Sequence, residues 1–494
     1  MKLGRLTDGI IGLNISEIPE IDILGITVDS RQVRPGYLFI AVSGHVRDGH
    51  EYISQAIQNG AVAAIVENDI EAKIPVIVVE DSKAAESVMS RRFYEEPDIR
   101  MVMAGITGTN GKTSTAFLVQ SIFEVAMGKT GIIGTVGNGI GKDISPADQT
   151  TPGSSSLIQM LAGFRDSGCC STVMEVSSHA AVQGRTKGLE FDVGVFTNIT
   201  RDHLDYHGTF EEYIDAKRIF VDSLNASGRI KKNGVLVYNL DDCNVRKVAD
   251  QYGGKKISFG LGSGAEIKAE SVRADLNGSG FILVTSGESI DIELKLLGGF
   301  SIYNALAAAA AASAIGVSLE DIKSGLESVT IIPGRFQVIR MNDGPVVVVD
   351  YAHTPDALES LLSFCRDLGP TNLISVFGCG GDRDRGKRPI MGKIAAEISD
   401  RVYVTSDNPR SEDPEAIIDE VMEGIGEGHA SVTRIADRRE AIALAIRGAG
   451  KGDLVALAGK GHEDYQVIGA DRIHFSDIEE AGRVLRGLEV GYQD

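Results

Sequence analysis

Short apolar runs rich in Val, Ile and Ala alternate with longer amphipathic stretches along the chain. Apolar runs bounded by polar or glycine turns predict β-strands, and the amphipathic stretches between them predict helices. Repeated alternation of this kind is typical of α/β domains built on parallel sheets. Outside the glycine-rich region described below, the predicted strands lie at 26–29, 37–42, 61–66, 76–79, 171–176, 193–199, 234–239, 346–350, 373–378, 401–406 and 453–459.

The spacing of these runs divides the chain into three segments. A chain of 494 residues is too long for one hydrophobic core, and its length suggests about three domains. Residues 94–99 have the composition of a linker, and the strand–helix pattern starts again near 331–335. We therefore predict domains at 1–98, 99–333 and 334–494. The second is expected to be a doubly wound sheet, and the third another, Rossmann-like α/β sheet.

An apolar strand, a glycine-rich turn and an amphipathic helix follow one another within 100–126. Backbone amides of such a turn can surround phosphate oxygens, and the helix N-terminus adds partial positive charge. Lys112 can reach the β- and γ-phosphates of a nucleotide, and the Thr113 hydroxyl can bind Mg²⁺. The common motif has glycine where this chain has Ile106, so the loop is a variant form. A chance Gly-Lys-Thr in a glycine-rich chain is the alternative.

The composition argues against several classes of function. The formal net charge of −20 disfavours a nucleic-acid partner or an anionic membrane surface. The longest apolar run, 305–317, is mostly alanine and too short to span a bilayer, so we expect no membrane insertion. The five cysteines lack zinc-ligand spacing, and the first twenty residues contain no apolar signal segment. These features predict a cytoplasmic protein with reduced thiols.

Polar side chains follow two of the apolar strands in the middle segment. Glu175 lies inside the run 171–176, where a carboxylate is desolvated unless it is paired or bound to a metal, and two serines follow. Those serines are equally typical of a helix N-cap. The next strand ends in a turn that contains Asp202, His203, Asp205 and His207. This turn is either solvated or part of a site for a hard metal ion with imidazole help.

A helix is predicted to start at the capping box Thr209–Glu212, and it carries Lys217. Periodicity alone does not distinguish this lysine from an ordinary surface lysine. In the third segment, glycine turns dense in arginine or polar residues follow strands at 378–389, 406–410 and 459–463. Turns of this kind suit a bound carboxylate or phosphate, and a solvated charged loop is the alternative.

These features occur together with further short motifs in one order along the chain. The motifs are Asp29-Ser-Arg31, Asp48-Gly-His50, Gly108-Thr-Asn-Gly-Lys-Thr113, Thr150-Thr-Pro152, Glu175-Val-Ser-Ser-His179, Asp202-His-Leu-Asp-Tyr-His207, Ala216-Lys217, Pro333-Gly-Arg335, Asp350-Tyr-Ala-His-Thr-Pro-Asp356 and Asp407-Asn-Pro-Arg410. Over nearly its whole length the chain resembles the bacterial Mur ligases, ATP-dependent amide-forming enzymes of peptidoglycan precursor synthesis. It is most similar to the members that add the third amino acid, and the variant phosphate loop is that family's own form.

The resemblance implies a three-domain architecture: a UDP-sugar-binding domain, a central ATP-binding domain, and a C-terminal domain that closes over the site and binds the amino acid. It implies that Lys112, Glu175, His203 and Lys217 are catalytic, with Mg²⁺ held by Thr113, Glu175, His203 and a carbamylated Lys217. The implied ATP contacts are Gly108, Thr109, Asn110, Gly111, Lys112, Thr113, Ser114, Asn304, Arg335, Asp350 and His353.

The resemblance also implies two further groups of binding residues. The implied contacts of the UDP-sugar-peptide are Val28, Ser30, His45, Val46, Arg47, Gln149, Thr150, Thr151, Ser177, Gln183 and Arg185. The implied contacts of the incoming amino acid are Arg383, Asp407, Asn408, Pro409, Arg410, Gly459 and Glu463. Gly184 stands between Gln183 and Arg185, where relatives often carry a larger residue.

By this resemblance the chain joins meso-diaminopimelate to the D-glutamyl γ-carboxylate of UDP-N-acetylmuramoyl-L-alanyl-D-glutamate, through an acyl phosphate formed with ATP. We expect it to act as a monomer. The form Asp-Asn-Pro-Arg is associated with diaminopimelate, since Arg410 can bind a second carboxylate and Glu463 an ammonium group. L-lysine is the alternative amino acid. A folylpolyglutamate synthetase-like ligase and a nucleotide switch without amide chemistry are the alternative functions.

Overall fold

The first unit of the structure, a computed structural model, is a small parallel sheet. The structure describes residues 1–10, 18–44, 48–275, 277–341, 344–426 and 430–491. Strands β1 to β4 pair in sequence order. The elements are α1 (Leu3–Thr7), β1 (Gly25–Thr27), β2 (Tyr37–Ile40), α2 (Ile53–Gln58), β3 (Ala61–Val66), β4 (Val76–Val78) and α3 (Ser82–Phe93), with 3₁₀ helices at Ser30–Gln32, Gly49–Tyr52 and Pro97–Arg100.

The central unit is an eleven-stranded mixed sheet in the order β15-β14-β13-β12-β11-β10-β5-β9-β6-β7-β8. Its elements are β5 (Val102–Thr107), α4 (Lys112–Met127), β6 (Thr130–Ile133), β7 (Asn138–Ile140), β8 (Asp143–Ser145), α5 (Ser154–Asp166), β9 (Ser171–Glu175), α6 (Ser178–Val182), β10 (Val193–Phe196), α7 (Leu204–His207), α8 (Phe210–Ser223), β11 (Val235–Asn239), α9 (Cys243–Gln251), β12 (Lys256–Gly260), β13 (Ile267–Asp275), β14 (Gly278–Val284), β15 (Ser289–Leu294), α10 (Gly299–Ala314) and α11 (Leu319–Ser328).

Helices cover both faces of the parallel part of this sheet. Helices α4, α10 and α11 form the core on one face, and α5, α8 and α9 form it on the other. The alanines of α10 at 305–312 are all fully buried. Their small side chains let α10 lie close to α4 and the sheet, which explains the alanine-rich run in the sequence.

The C-terminal unit is a six-stranded sheet in the order β16-β17-β21-β18-β19-β20, parallel except for β16. Its elements are β16 (Gln337–Arg340), β17 (Val346–Asp350), α12 (Pro355–Asp367), β18 (Leu373–Phe377), α13 (Lys387–Ile398), β19 (Arg401–Val404), α14 (Pro414–Met422), β20 (Ser431–Arg434), α15 (Arg438–Arg447), β21 (Leu454–Ala458), β22 (Tyr465–Ile468), β23 (Asp471–His474) and α16 (Asp477–Gly491). Strands β22 and β23 form a separate hairpin.

The α/β prediction and each predicted strand are confirmed. The capping box is also confirmed: Thr209 accepts from the Glu212 amide, and the Glu212 carboxylate accepts from the Thr209 amide. Four antiparallel additions were not predicted: β7–β8, β13–β15, β16 and the β22–β23 hairpin. Except for β14, these strands face water along much of their length, so they lack the continuous apolar runs that mark buried parallel strands. Strand β14 is largely buried, and its apolar run at 281–284 was not predicted as a strand. No helix among the described residues is long and apolar enough to cross a membrane.

Candidate active site

A cavity of about 480 Å³ lies between the central and C-terminal units. Parallel strands of both sheets end at it, which is where open α/β sheets bind ligands. The central unit contributes the phosphate loop and the turns after β9 and β10, and the C-terminal unit contributes the turn after β17. The cavity brings together most residues predicted for ATP and metal: Thr109, Asn110, Gly111, Lys112, Thr113, Ser114, Glu175, His203, Lys217, Asn304, Arg335, Asp350 and His353.

The glycines of the phosphate loop are required by its close packing. Gly108 and Gly111 have φ angles of 143° and 84°, which disfavour a side chain. A Cβ atom at Gly108 would lie 2.0 Å from Thr197 Oγ1, and one at Gly111 would lie 2.4 Å from Asn304 Oδ1. The loop is therefore held against β10 and α10, and its backbone can approach a ligand closely.

Two lysines converge on one backbone carbonyl of this loop. Lys217 Nζ donates to Gly108 O at 2.7 Å, and Lys112 Nζ donates to the same oxygen at 3.0 Å and to Thr109 O at 2.8 Å. Lys217 is only 1% exposed, so the interpretation of it as a surface lysine is wrong. Burial lowers the pKa of both lysines, and the charge of Lys112 lowers that of Lys217 further. Two adjacent lysine amines, one of them fully buried, make the site attractive to an anion.

Glu175 is the centre of a hydrogen-bond network beside the loop. Its carboxylate accepts from Thr113 Oγ1 at 3.0 Å and from the amide and hydroxyl of Thr135 at 2.8 and 3.1 Å. Arg335 Nη2 donates to the same Thr113 hydroxyl at 2.9 Å. Ser177 caps α6 by accepting from the Ala180 amide, so the serine N-cap interpretation is also confirmed. Glu175 and Thr113 therefore place a carboxylate and a hydroxyl group next to the phosphate loop.

The turn after β10 carries a cluster of rings. The rings of His179 and His203 lie 4.9 Å apart and those of His179 and His207 5.4 Å apart, and His207 Nε2 is 2.9 Å from Ser178 Oγ. Burial lowers the pKa of His179 to about 4 and that of His203 to about 3. Within the described ranges no three His, Cys, Asp or Glu side chains are arranged to hold a metal ion.

The residues predicted for the sugar-peptide form a second network. Arg185 donates to Gln183 Oε1 at 2.6 and 3.0 Å, to Gln149 Oε1 at 2.6 Å and to Thr151 O at 2.6 Å. Thr151 Oγ1 donates to the backbone oxygen of Glu175 at 2.8 Å, and Thr150 Oγ1 lies 3.0 Å from Thr135 Oγ1. This network therefore continues into the hydrogen bonds around the Glu175 carboxylate.

Only some of the sugar contacts predicted in the first unit lie among the described residues. Ser30 is buried, and its hydroxyl donates to Gln55 Oε1 at 2.7 Å. Val28, half-buried, packs against the core of the first sheet. His45, Val46 and Arg47 lie outside the described residues. The part of the uridine diphosphate site that depends on them stays a prediction.

The residues predicted for the amino acid meet at the C-terminal ends of β18, β19 and β21. Glu463 Oε2 accepts from Asn408 Nδ2 at 2.9 Å and from the buried Lys460 Nζ at 2.8 Å. A Cβ atom at Gly459 would lie 2.9 Å from Asp407 Oδ2. Asn408 and Pro409 are buried, whereas Arg383 is exposed. One charged pocket therefore contains the turns 406–410 and 459–463, with Arg383 at its rim.

Arg410 is less buried than the rest of its turn. It is half-exposed, with a φ angle of 52°, and its Nη1 donates to Gly381 O at 2.7 Å. In the described part of the chain its guanidinium donates only through Nη1, so Nε and Nη2 are available to a ligand. The β22–β23 hairpin positions it, since the Arg410 amide donates to Val467 O at 3.0 Å.

Several residues of the site were not predicted. Thr135 binds Glu175, Tyr213 lies under Lys217 with its ring centre 4.7 Å from Nζ, and Tyr351 stacks on Arg335 at 4.5 Å. His462 is buried at the junction, and its Nδ1 has no hydrogen-bond partner among the described residues. Tyr351 and His462 stand beside predicted residues in the sequence, which could have pointed to them. Thr135 carries no sequence signal, because only the fold brings it to Glu175.

Comparison with known proteins agrees with this geometry. The chain matches the Mur ligase family catalytic domain over residues 22–94, the Mur ligase middle domain over 106–312, and the Mur ligase glutamate ligase domain over 334–461. The chain belongs to the Mur ligase family. The three matches cover the three larger sheets of the structure in order, so the predicted three-domain Mur ligase architecture is confirmed.

Individual relatives of this Mur ligase are similar over nearly its full length. The UDP-N-acetylmuramoyl-L-alanyl-D-glutamate--2,6-diaminopimelate ligase of Bacillus velezensis is 42% identical over 486 residues, 98% of this chain and 99% of that protein. The ligase of the same name from Geobacillus thermodenitrificans is 42% identical over 97% of this chain and 98% of that protein. A solved structure of a ligase with this name superposes with a TM-score of 0.70, at 33% identity and 99% coverage of both chains.

The buried histidines of this Mur ligase predict acid sensitivity. Burial lowers the pKa of His353 to about 4 and that of His462 to about 3, as for His179 and His203. The unfolded chain, whose histidines titrate near ~6.5, therefore binds more protons than the folded one below that pH. We expect the free energy of unfolding to fall from about pH 6.5 to about pH 4, by up to ~1.4 kcal/mol per pH unit for each histidine.

Denaturant unfolding at a series of pH values measures this loss. In H353Q the free energy of unfolding should fall less steeply with decreasing pH, because about one proton fewer is taken up on unfolding. His474 is the matched control: it is exposed, and its pKa is raised mainly by its hydrogen bond to Glu479. Replacing His474 with Gln should leave the slope in this range unchanged or slightly steeper. A stability that is constant from pH 6.5 to pH 4 would contradict the prediction.

Proposed function

We propose that this Mur ligase joins meso-diaminopimelate to the D-glutamyl γ-carboxylate of UDP-N-acetylmuramoyl-L-alanyl-D-glutamate with the use of ATP. The observation that carries the proposal is the pair of lysines bonded to the phosphate loop, together with a separate pocket of charged side chains in the C-terminal domain. The anion site suits the phosphates of a nucleotide. The pocket, which contains both positive and negative side chains, suits an amino acid. The names of its relatives specify the same substrates.

The reaction needs two steps. The γ-carboxylate attacks the γ-phosphorus of ATP, the bond to the bridging oxygen breaks, and ADP leaves an acyl phosphate behind. Lys112 stabilises the charge on the transferred group. The uncharged amine of the incoming amino acid then attacks the acyl carbon, and phosphate leaves as the amide forms. The C-terminal domain, through Arg335 and Tyr351, covers the phosphate loop and keeps water from the acyl phosphate.

The donor set beside the loop suits Mg²⁺. The Thr113 hydroxyl and the Glu175 carboxylate are oxygen ligands 3.0 Å apart, and His203 lines the same cavity. Mg²⁺ is usually held by one or two protein carboxylates together with phosphate oxygens and water, so a full set of protein ligands is not needed. When bound, the ion offsets negative charge on the phosphates.

We also propose that Lys217 is carbamylated. Burial and the neighbouring Lys112 lower its pKa, so a larger fraction of its amine is uncharged and able to attack CO₂. The amine nitrogen bonds to the carbon of CO₂ and loses a proton, which leaves a carbamate. This change replaces a buried cation with an anion next to Lys112, and the carbamate can serve as a further oxygen ligand of Mg²⁺.

The charges of the C-terminal pocket favour diaminopimelate over L-lysine. Diaminopimelate carries a carboxylate at its distal end that lysine lacks. Arg410 offers Nε and Nη2 to that carboxylate as a bidentate pair, with Arg383 at the rim, while Glu463 and Asp407 face the distal ammonium group. With L-lysine as the substrate, Nε and Nη2 of Arg410 would have no carboxylate partner, which costs about 1–3 kcal/mol of binding free energy.

An ADP-release assay tests the proposal. Purified enzyme is supplied with ATP, Mg²⁺, the UDP-sugar-dipeptide and a panel of amino acids. We expect kcat/KM for meso-diaminopimelate to exceed that for L-lysine by at least ~10-fold. R410A should lose this preference while its KM for ATP stays within about twofold, and R434Q, at an exposed arginine of the same domain, should behave as wild type.

The outcomes separate the alternatives. Equal or greater activity with lysine would refute the diaminopimelate assignment and leave the ligase reaction standing. ATP hydrolysis that needs neither sugar-peptide nor amino acid would favour a nucleotide switch. Activity with a folate acceptor would favour the synthetase-like alternative, which has no use for the N-terminal domain matched at 22–94. We further propose boundaries at 98/99 and 333/334, and cytoplasmic action in keeping with five free cysteines.

A further inference from the structure

The turn after β10 meets the C-terminal domain through an ion pair that no predicted role accounts for. Arg201 Nε donates to Asp384 Oδ2 at 3.3 Å, across 183 positions of sequence. The Arg201 guanidinium lies over Gly386, where a Cβ atom would come within 2.5 Å of Nη2. The Asp384 side chain is 9% exposed and that of Arg201 is 46% exposed. The pair is therefore half-shielded from solvent and joins two domains.

The neighbouring residues carry charges of the opposite signs. Asp202 is buried next to Arg201, and Lys387 is buried at the N-terminus of α13. Burial opposes ionisation of Asp202, but His203 and Lys387 outweigh it, and the pKa of this carboxyl lies below its usual range. We call Arg201, Asp202, Asp384 and Lys387 the interdomain seam. The Arg201–Asp384 contact and the attraction between the charges of Asp202 and Lys387 therefore favour the same relative position of the two domains.

The seam is directly connected to the amino-acid pocket. Asp384 follows Arg383 in the chain, and its Oδ1 accepts from the Gly386 amide at 2.9 Å, so its carboxylate is anchored at the start of α13. The charge of Arg383 also helps to lower the pKa of His179 in the central domain, after burial and the larger contributions of His207 and Arg185. The position of Arg383 relative to the central domain therefore depends on where Asp384 is held.

We propose that Arg201 and Asp384 are positioning residues for the amino-acid step. Their ion pair holds the C-terminal domain in the register at which Arg383 and the adjoining pocket present the incoming amine to the acyl phosphate. The inference rests on the proposed amino-acid pocket. It assigns to the pair a larger effect on amino-acid binding than on ATP binding, because the phosphate loop belongs to the central domain and does not move with the C-terminal domain.

A double-mutant cycle tests this coupling. Asp384→Asn removes the charge but keeps an acceptor for the Gly386 amide, and Arg201→Gln removes the other charge. We expect each single variant to raise the amino-acid KM roughly 5-fold, near the upper end for a partly exposed pair, with the ATP KM within about twofold of wild type. The double variant should be no worse than either single variant. Arg201→Lys, which keeps the charge, should recover part of the loss.

Arg434→Gln is the matched control, since Arg434 is also 46% exposed and pairs with Glu415 inside one domain. Its amino-acid KM should equal that of wild type. Unchanged KM values in the single variants, or additive losses in the double variant, would overturn the proposal. The cycle is measured with whichever amino acid the wild type adds. Failure of the wild type with diaminopimelate therefore counts against the proposed function, and only the variants decide the seam.

Discussion

Replacing Lys217 with alanine is expected to lower the rate of amide formation by at least ~10³-fold, more than any other single substitution considered for this Mur ligase. The side chain is 1% exposed and lies 2.7 Å from the phosphate-loop carbonyl of Gly108. Its proposed carbamate supplies negative charge where the chain otherwise places two cations. Steady-state ADP release, with circular dichroism to confirm folding, measures the loss.

Chemical rescue of the Lys217 variants distinguishes a carbamylated Lys217 from an unmodified one. A short carboxylate such as acetate should restore part of the activity of K217A, because the cavity left by the side chain can admit an anion. K217R should stay inactive, since arginine supplies a cation and does not react with CO₂. Carbon-13-labelled bicarbonate should give a carbamate NMR signal in wild type only. An active enzyme whose Lys217 amine is unmodified would rule the carbamate out.

Replacing Lys112 with alanine is expected to lower kcat by at least ~10²-fold with the fold intact. Lys112 Nζ donates to two carbonyls of the loop, and it is free to turn to a phosphate because each bond is to a neutral acceptor. Its charge is needed most in the transition state of phosphoryl transfer, so kcat should fall more than the affinity for ATP. Fluorescent nucleotide binding and ADP release together separate the two effects.

Lys247 provides the control for the loss of one lysine charge. It is exposed in α9, away from the cavity lining, and K247A should match wild type in both assays. Near-normal turnover by a folded K112A would refute the assignment of the loop to ATP. A loss of the same size in K247A would instead point to the protein's overall charge.

Local features of this chain were readable from its residues alone. The phosphate loop is a contiguous strand, turn and helix, and its hydrogen bonds are made within a few residues, so its sequence carries the whole signal. The Thr209–Glu212 capping box is local for the same reason. Parallel strands buried on both faces produce continuous apolar runs, which is why each predicted strand is present. The order of motifs was sufficient to identify the family.

Contacts between distant segments could be decided only by the tertiary structure. Nothing near Lys217 in the sequence indicates that its amine is buried against Gly108, 109 positions away. The same holds for Thr135 on Glu175, for the half-exposed Arg410 and for the Arg201–Asp384 pair. Periodicity reports which face of an element is buried, but not which element covers it. The sequence alone therefore determined the buried parallel strands that it predicted, the loop and the chemistry available, while long-range packing decided which charges share one cavity and what each is bonded to.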